Sequence, residues 1–485
     1  MKLSKLLSLL PIASLASAID LTVTDSASIK KAAGIAASKL RALYPNTESW
    51  FIPGEFGLIQ TADGKNNQGY YWWEAGAAMG AWVDYWYYTG DTAYNDIVTE
   101  ALLFQVGPDR DYQPPNQTLA LGNDDQAFWA IAAMSAAERG YPDPPKDKPQ
   151  WLALAQAVFN RQAKRWDTAA CEGGLRWQVF SSNKGYDYKN AVSNGLFFHL
   201  GARLARYTGN QTYADWAVKT WDWSLHNGLV SKDYKVFDGS HIPECVVSSK
   251  IQWSYNAGIY LAGAAYMYDN YVINGDTANA AKWKKLTDSL LKATDEPFFN
   301  RLPEHKNIMR ESACESNPPY TAPPTCNTDQ RSFKAYLSRF MGVTYQLIND
   351  DAMKTWIMDR LQASATAAAK ACDGGSDKQT CGLSWIRGTY DGSPYGIAKG
   401  GVGEHMAVME VIQALMAPNT KPPYTEKSGG TSKGDATAGS GSSSLTAADL
   451  MQTEPTTTAD RAGAGILTTI CLGGLLGLTY WLIRE

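Results

Sequence analysis

The stretch Gly122-Asn123-Asp124-Asp125-Gln126-Ala127-Phe128-Trp129-Ala130 sets the pattern on which the fold is read. A polar or glycine-containing start opens onto a helix rich in Ala, Gly and large aromatic residues. The same design recurs at Trp73-Glu74-Ala75-Gly76-Ala77-Ala78-Met79, Asn190-Ala191-Val192-Ser193-Asn194-Gly195, Ser254-Tyr255-Asn256-Ala257-Gly258, Asp329-Gln330-Arg331-Ser332-Phe333-Lys334 and Gly403-Glu404-His405-Met406-Ala407. Each start lies 50 or more residues from the next, which leaves room for a return helix every time. Three of these segments end in a related turn. Tyr88-Thr89-Gly90-Asp91 is echoed by Tyr207-Thr208-Gly209-Asn210 and more weakly by Asn274-Gly275-Asp276, each reading as a Gly stop followed by an Asp or Asn cap on a second helix. Small residues let neighbouring helices approach closely, so the six segments are candidates for an inner ring. Six helical hairpins closed in a ring make an all-α (α/α)6 barrel, in which the inner-helix starts converge on one face and build a cleft there. Residues 19–420 read as that single domain.

Outside this body the chain carries addresses. Residues 1–18 place Lys2 and Lys5 before an apolar run and end Ala16-Ser17-Ala18, the order of a secretory signal peptide cleaved after Ala18. Residues 421–461 are Gly, Ser, Thr, Ala and Pro with few apolar side chains, and read as a disordered stalk. Residues 462–485 form an apolar tail, which after a polar spacer and small residues matches a GPI-attachment signal. A retained single-pass anchor is the competing reading, but the tail lacks a basic stop-transfer cluster. Gly439–Ser444 and Ala447-Ala448 both supply small residues for attachment. The expected location is therefore the secretory pathway, the outer face of the plasma membrane and the wall beyond it.

The remaining composition agrees. The net charge of −4 with no basic run gives no electrostatic footprint for nucleic acid. The 17 Trp, 26 Tyr and 13 Phe suit a protein that stacks on flat, neutral, hydroxyl-rich ligands such as sugars. Six of seven cysteines lie in the body, Cys171, Cys245, Cys314, Cys326, Cys372 and Cys381, as befits an exported disulfide protein. Six allow 15 pairings, and the sequence does not choose among them. Short separations favour Cys314–Cys326 and Cys372–Cys381, which leaves Cys171–Cys245. Cys spacing suits no zinc site and the five His are scattered, so no metal or cofactor is expected. Asn116-Gln117-Thr118 and Asn210-Gln211-Thr212 are N-glycosylation sequons.

Chemistry concentrates at Asp124 and Asp125. With Asn123 as N-cap, both carboxylates fall in the first turn of a helix. Acidic residues there are also ordinary partners of the helix dipole, and adjacent helical residues point in different directions, so spacing alone does not assign them. Two carboxyl groups about 5 Å apart are nonetheless what a retaining glycosidase needs, and like-charge repulsion would raise one pKa to make a proton donor beside an ionised nucleophile. Tyr71, Trp73 and Glu74, Trp177 and Gln178, Asn190 and Asn194, and Trp253, Tyr255 and Asn256 sit at other converging starts, where with Asn123 they read as sugar platforms and amide contacts. His405 beside Glu404, and Arg331 with Lys334, read more simply as structural and ion-paired groups. Nucleophile-elbow, phosphate-loop and dinucleotide patterns are missing.

The motifs Gly122–Trp129, Tyr70-Tyr71-Trp72-Trp73-Glu74-Ala75-Gly76, Gly173-Gly174-Leu175-Arg176-Trp177-Gln178 and Lys189–Gly195 together resemble glycoside hydrolase family 76, over about residues 20–420. The signal, spacer and tail resemble its fungal, GPI-anchored branch. That resemblance implies an (α/α)6 barrel and a retaining α-1,6-mannanase, with Asp124 as nucleophile and Asp125 as acid/base. It implies action on mannan or on the α-mannosyl core of GPI anchors, with transfer of GPI proteins to wall β-1,6-glucan. A non-catalytic mannan- or GPI-glycan-binding wall protein would keep the aromatics without needing either aspartate.

Overall fold

In the computed structural model the described residues are 19–57, 69–392 and 400–441, with isolated positions 468, 472–474 and 484. The expected signal peptide and most of the expected stalk and tail lie outside them. The chain forms α1 (Ser26–Arg41), α2 (Trp72–Thr89), α3 (Asn95–Phe104), α4 (Asn123–Arg139), α5 (Trp151–Lys164), β1 (Tyr188–Asn190), α6 (Ala191–Thr208), α7 (Gln211–His226), β2 (Gly239–His241), β3 (Val247–Ser249), α8 (Ser254–Ile273), α9 (Thr277–Ala293), the short α10 (Asp295–Phe298), α11 (Phe333–Leu347), α12 (Asp351–Lys370) and α13 (Val402–Gln413).

Six helices, α2, α4, α6, α8, α11 and α13, pack successively, and α13 returns to α2, so the ring closes. Nearly every residue of these six is buried, as their Ala, Gly and aromatic content requires. The others form the outer layer: α3 lies on α2, α5 on α4, α7 on α6, α9 on α8 and α12 on α11 and α13, while α1 covers the seam between α13 and α2. This is the (α/α)6 barrel expected from the six starts. The fifth start differs, because Asp329–Ser332 form a 3-10 turn before α11 begins.

The turns follow the same logic with one exception. Gly90 and Gly209 end α2 and α6 in the left-handed conformation; Asn210 then caps α7, and Asp276 caps α9. Asp91 does not cap a helix. It accepts from the Ala93 N–H in a local turn, and α3 starts only at Asn95.

Below the cleft the barrel interior is ionic. Arg139 pairs with Asp84, Arg203 with Glu138 at 2.6 Å, and Arg339 with Glu410 at 2.7 Å, all almost fully buried. Tyr266 also donates to Glu138, at 2.8 Å, and Arg203 to the Ser135 hydroxyl, so the network ties α4, α6 and α8 together. Removing one partner strands a buried charge; Arg203→Ala is expected to lower unfolding stability by about 3–5 kcal/mol in denaturant titration.

The three disulfides are Cys171–Cys245, Cys314–Cys326 and Cys372–Cys381. They mark a protein folded in an oxidising compartment.

The stalk boundary needs correction. Residues 421–441 do not leave the barrel as disordered chain; they form a strap along it, and the compact unit runs through Gly441. Composition misled because small residues were read as unable to bury a core, whereas here they let the backbone lie flush on a helix.

Candidate active site

The N-terminal ends of the inner helices converge on a cleft of about 480 Å³. Its floor is the start of α4. Gly122, not Asn123, is the N-cap: Asn123 is the first helical residue, and its side chain leaves the cleft to donate to the Arg176 carbonyl and to accept from Arg165. Gly122 pairs antiparallel with Gln178, and the Asn123 N–H donates to the Trp177 carbonyl at 2.8 Å, which brings the Trp177-Gln178 loop against the helix start.

Gly122 also decides how the aspartates meet. A Cβ there would fall 2.2 Å from Asp124 Oδ1 and 2.8 Å from Asp125 Oδ2. Both oxygens therefore crowd one point that only glycine leaves empty and stand at most about 5 Å apart, which suits the close carboxylate pair of a retaining glycosidase and not the wider inverting one. Asp125 folds back so that Oδ2 accepts from the Gly122 N–H, half of a capping box. Asp124 Oδ1 accepts from the Ser193 hydroxyl at 3.3 Å on α6, and the Trp177 indole also donates to Asp124.

Burial dominates the electrostatics. Desolvation pushes Asp124 up to about 7, against the stabilising backbone N–H groups of its own turn and the Ser193 and Trp177 donors. Asp125 rises well above the usual carboxylate range, first by burial, then by the Asp124 charge and by Asp329. The pair thus favours one proton, held on the Asp125 side.

The walls combine expected and unexpected residues. Tyr71, Trp73, Trp177, Gln178, Asn190 and Tyr255 line the cleft, as do Phe128 and Phe333. Tyr71 (54 % exposed) and Trp177 (36 %) present open faces at the mouth. Tyr255 stacks on Phe333 with centroids 3.8 Å apart. Asn190 caps α6 through the Ser193 N–H.

Other expected contacts lie elsewhere. Glu74 is fully buried behind the wall, its carboxyl pushed well above the usual range by desolvation and then by the Asp329 and Glu404 charges. Asn194 is buried and holds both polar groups of the Leu175 backbone. Asn256 is fully buried within α8. Trp253 donates its indole N–H to Asp238 and packs on the Cys314–Cys326 cluster, behind the lining. Glu74 and Asn256 each lie one residue along the helix from a lining residue, Trp73 and Tyr255, and the 100° step per residue turns their side chains away from the cleft.

Two carboxylates in the cleft were not anticipated. Asp329, in the 3-10 turn before α11, accepts from the Trp73 indole and is raised by burial to about 6. Asp238 accepts from Tyr188 Oη at 2.7 Å and is likewise raised. It sits beside the small β1-β2-β3 sheet, where three-residue strands carry no alternation to read. Asp329 was legible as the opening of the fifth repeat. Glu404 pairs with buried Arg331, and Lys334 pairs with Glu315 at 2.6 Å, so these remain structural; His405 is buried behind them. Asn116 and Asn210 are both exposed. Among the described residues, no group of three or more His, Cys, Asp or Glu is placed to hold a metal ion.

A closed helical ring with a carboxylate pair at the floor of an aromatic cleft defines a helical-barrel glycoside hydrolase. The model of glycosyl hydrolase family 76 matches residues 28–427, and the chain belongs to that family. It is 44% identical to the mannan endo-1,6-alpha-mannosidase DCW1 of Saccharomyces cerevisiae, over 96% of this chain and 95% of that protein. The crystal structure of Dfg5 from Chaetomium thermophilum in complex with glucosamine superposes with a TM-score of 0.78 at 40% identity, covering 87% of this chain and 98% of that one. An inactive variant of an alpha-1,6-mannanase from Salegentibacter, with two adjacent aspartates replaced by asparagine and alpha-1,6-mannotriose bound, shares the fold at 15% identity (TM-score 0.60, 81% of this chain, 99% of that one).

Proposed function

We propose that the chain is a retaining endo-α-1,6-mannosidase or transmannosylase, with Asp124 as nucleophile and Asp125 as acid/base. The observation that carries this reading is the convergence of both carboxylates on the empty Cβ position of Gly122, with unequal proton affinities. Asp124, the less basic partner, attacks the anomeric carbon of a mannosyl unit while Asp125 gives its proton to the departing glycosidic oxygen. Asp125, now ionised, takes a proton from the acceptor that resolves the mannosyl-enzyme. Water gives hydrolysis; a sugar hydroxyl gives transfer.

The names of the similar proteins and the mannotriose complex support α-1,6-mannosyl substrates. The disulfides and the export signals in the sequence support a site outside the cell, so the α-mannosyl core of GPI anchors is the donor we favour and wall β-1,6-glucan the acceptor. The chain itself would be held at the plasma membrane by a GPI anchor. Because Gly439–Gly441 belong to the strap, attachment at Ser442 or beyond fits best.

The test is a 2-deoxy-2-fluoro-α-mannosyl fluoride, which slows release of the intermediate. Mass spectrometry of a digest is expected to find one fluoromannosyl group on the peptide bearing Asp124. An adduct elsewhere, or none while substrate is cleaved, would overturn the assignment.

A pH profile probes the same electrostatics. Activity falls on the acid side as Asp124 gains a proton, and on the alkaline side as Asp125 loses its own. The Asp329 charge helps raise Asp125. Asp329→Asn is therefore expected to move the alkaline limb of kcat/KM to lower pH; an unmoved limb would remove Asp329 from this role.

A further inference from the structure

The strap fixes where the chain leaves the barrel. Its first contacts are at the end remote from the cleft, where the Tyr424 N–H donates to the Glu138 carbonyl in the last turn of α4 at 2.7 Å. It then climbs α5. The Leu152 N–H, an open donor in the first turn of α5, donates to Ser432 Oγ at 3.1 Å. Next, the Asp435 N–H donates to Gln156 Oε1 at 2.7 Å, and Asn160 Nδ2 donates to the Ala436 and Ala438 carbonyls. Last, Lys164 Nζ reaches the Ser440 carbonyl at 2.6 Å. The climb follows the whole of α5, about 20 Å at 1.5 Å per residue.

The upper end of α5 is the cleft end. Gln162 donates to the Asn123 carbonyl at 2.6 Å and Arg165 to the Asn123 side chain at 2.9 Å, at the start of α4 where the carboxylate pair lies. The seating is close. Gly439 has a left-handed φ of +69°, and a Cβ there would fall 2.3 Å from the Ala157 carbonyl oxygen. The start of α1 lies at the opposite end, where Ser26 meets Asn419 beyond α13.

We infer that the strap turns the cleft toward whatever surface the C-terminus is tethered to, making the enzyme selective for mannosyl groups carried on lipid at that surface. Without the strap, a tether would start at the remote end and the barrel would stand between bilayer and cleft. With it, the tether starts at the cleft rim, which raises the effective concentration of surface-borne glycan at the site. This rests on the membrane tether of the proposed function.

The test uses residues 19–441, the compact unit, held on nickel-chelating phosphatidylcholine vesicles by a histidine tag placed either after Gly441 or before Ile19. A fluorophore on Leu119→Cys, an exposed position at the cleft mouth, is read against a lipid-borne quencher, with a lipid-linked α-1,6-mannobioside as substrate. Stronger quenching is expected for the C-terminal tether. Release of lipid-borne mannose, measured without the fluorophore, is expected to be about tenfold faster than for the N-terminal tether, with equal rates on soluble mannobioside. In the C-terminally tethered form, Gly439→Val is expected to unseat the strap and lower the quenching. Equal quenching by the two tethers would overturn the inference. If quenching differs but neither substrate is cleaved, the orientation of the cleft stands, while the mannosidase reading, and with it the proposed selectivity, fails.

Discussion

Asp124→Asn is expected to reduce turnover of α-1,6-mannosyl substrates by on the order of 10⁴-fold or more, because the substitution removes the atom that forms the covalent bond. Its neighbour behaves differently. Asp125→Asn loses the proton donor, so substrates with a sugar leaving group slow strongly, whereas a mannosyl fluoride, whose leaving group needs little protonation, still forms the intermediate. Azide separates the two roles further. In Asp124→Ala it can fill the space left by the truncated nucleophile and attack the fluoride directly, giving the inverted mannosyl azide. With Asp125→Asn it attacks the covalent intermediate and gives the retained anomer. Product stereochemistry read by NMR decides the matter; the same anomer from both variants would sink the assignment.

Gly122→Ala carries the second large effect, without removing any reacting group. The backbone at Gly122 has φ −92°, which any residue adopts, so the substitution meets no conformational penalty there. What it adds is a methyl 2.2 Å from Asp124 Oδ1 and 2.8 Å from Asp125 Oδ2, and one or both carboxylates must move. A displacement near 1 Å costs roughly 10²-fold in rate. The expected result is a kcat lowered by that order with thermal stability close to the parent. A drop in melting temperature that accounts for the lost activity would assign Gly122 to folding instead.

The architecture was legible because a fully buried inner helix has an unusual composition, and six such segments repeat at a spacing that admits one return helix. Asp124 and Asp125 were legible as a first-turn pair, and Tyr71, Trp73, Trp177 and Tyr255 as aromatics at helix starts. The misplaced amides share one cause. Asn123, Asn194 and Asn256 occupy the same turns as cleft residues, but helical rotation directs them away from the cleft, where Asn123 and Asn194 satisfy backbone groups. Asp238 was beyond reach because its position depends on a loop folded across the ring. The strap was misread for a similar reason: apart from the Ser432 hydroxyl, the contacts that seat it on α4 and α5 are made by its backbone carbonyls and N–H groups, and those have no signature in side-chain composition.

Ring closure sets the order in which this protein can be made. The seam joins α2 to α13, with Gln413 donating to the Ala81 carbonyl across 332 residues, and α1 seals it from outside. A chain entering an export channel from its N-terminus holds α1 and α2 ready, yet their partner arrives last. Until then the exposed flanks of α2 and α1 are sticky, and their protection falls to chaperones of the secretory lumen. Completion of the barrel is thus a late event that waits on nearly the whole chain, with slow closure and a strong dependence on the folding machinery of that compartment.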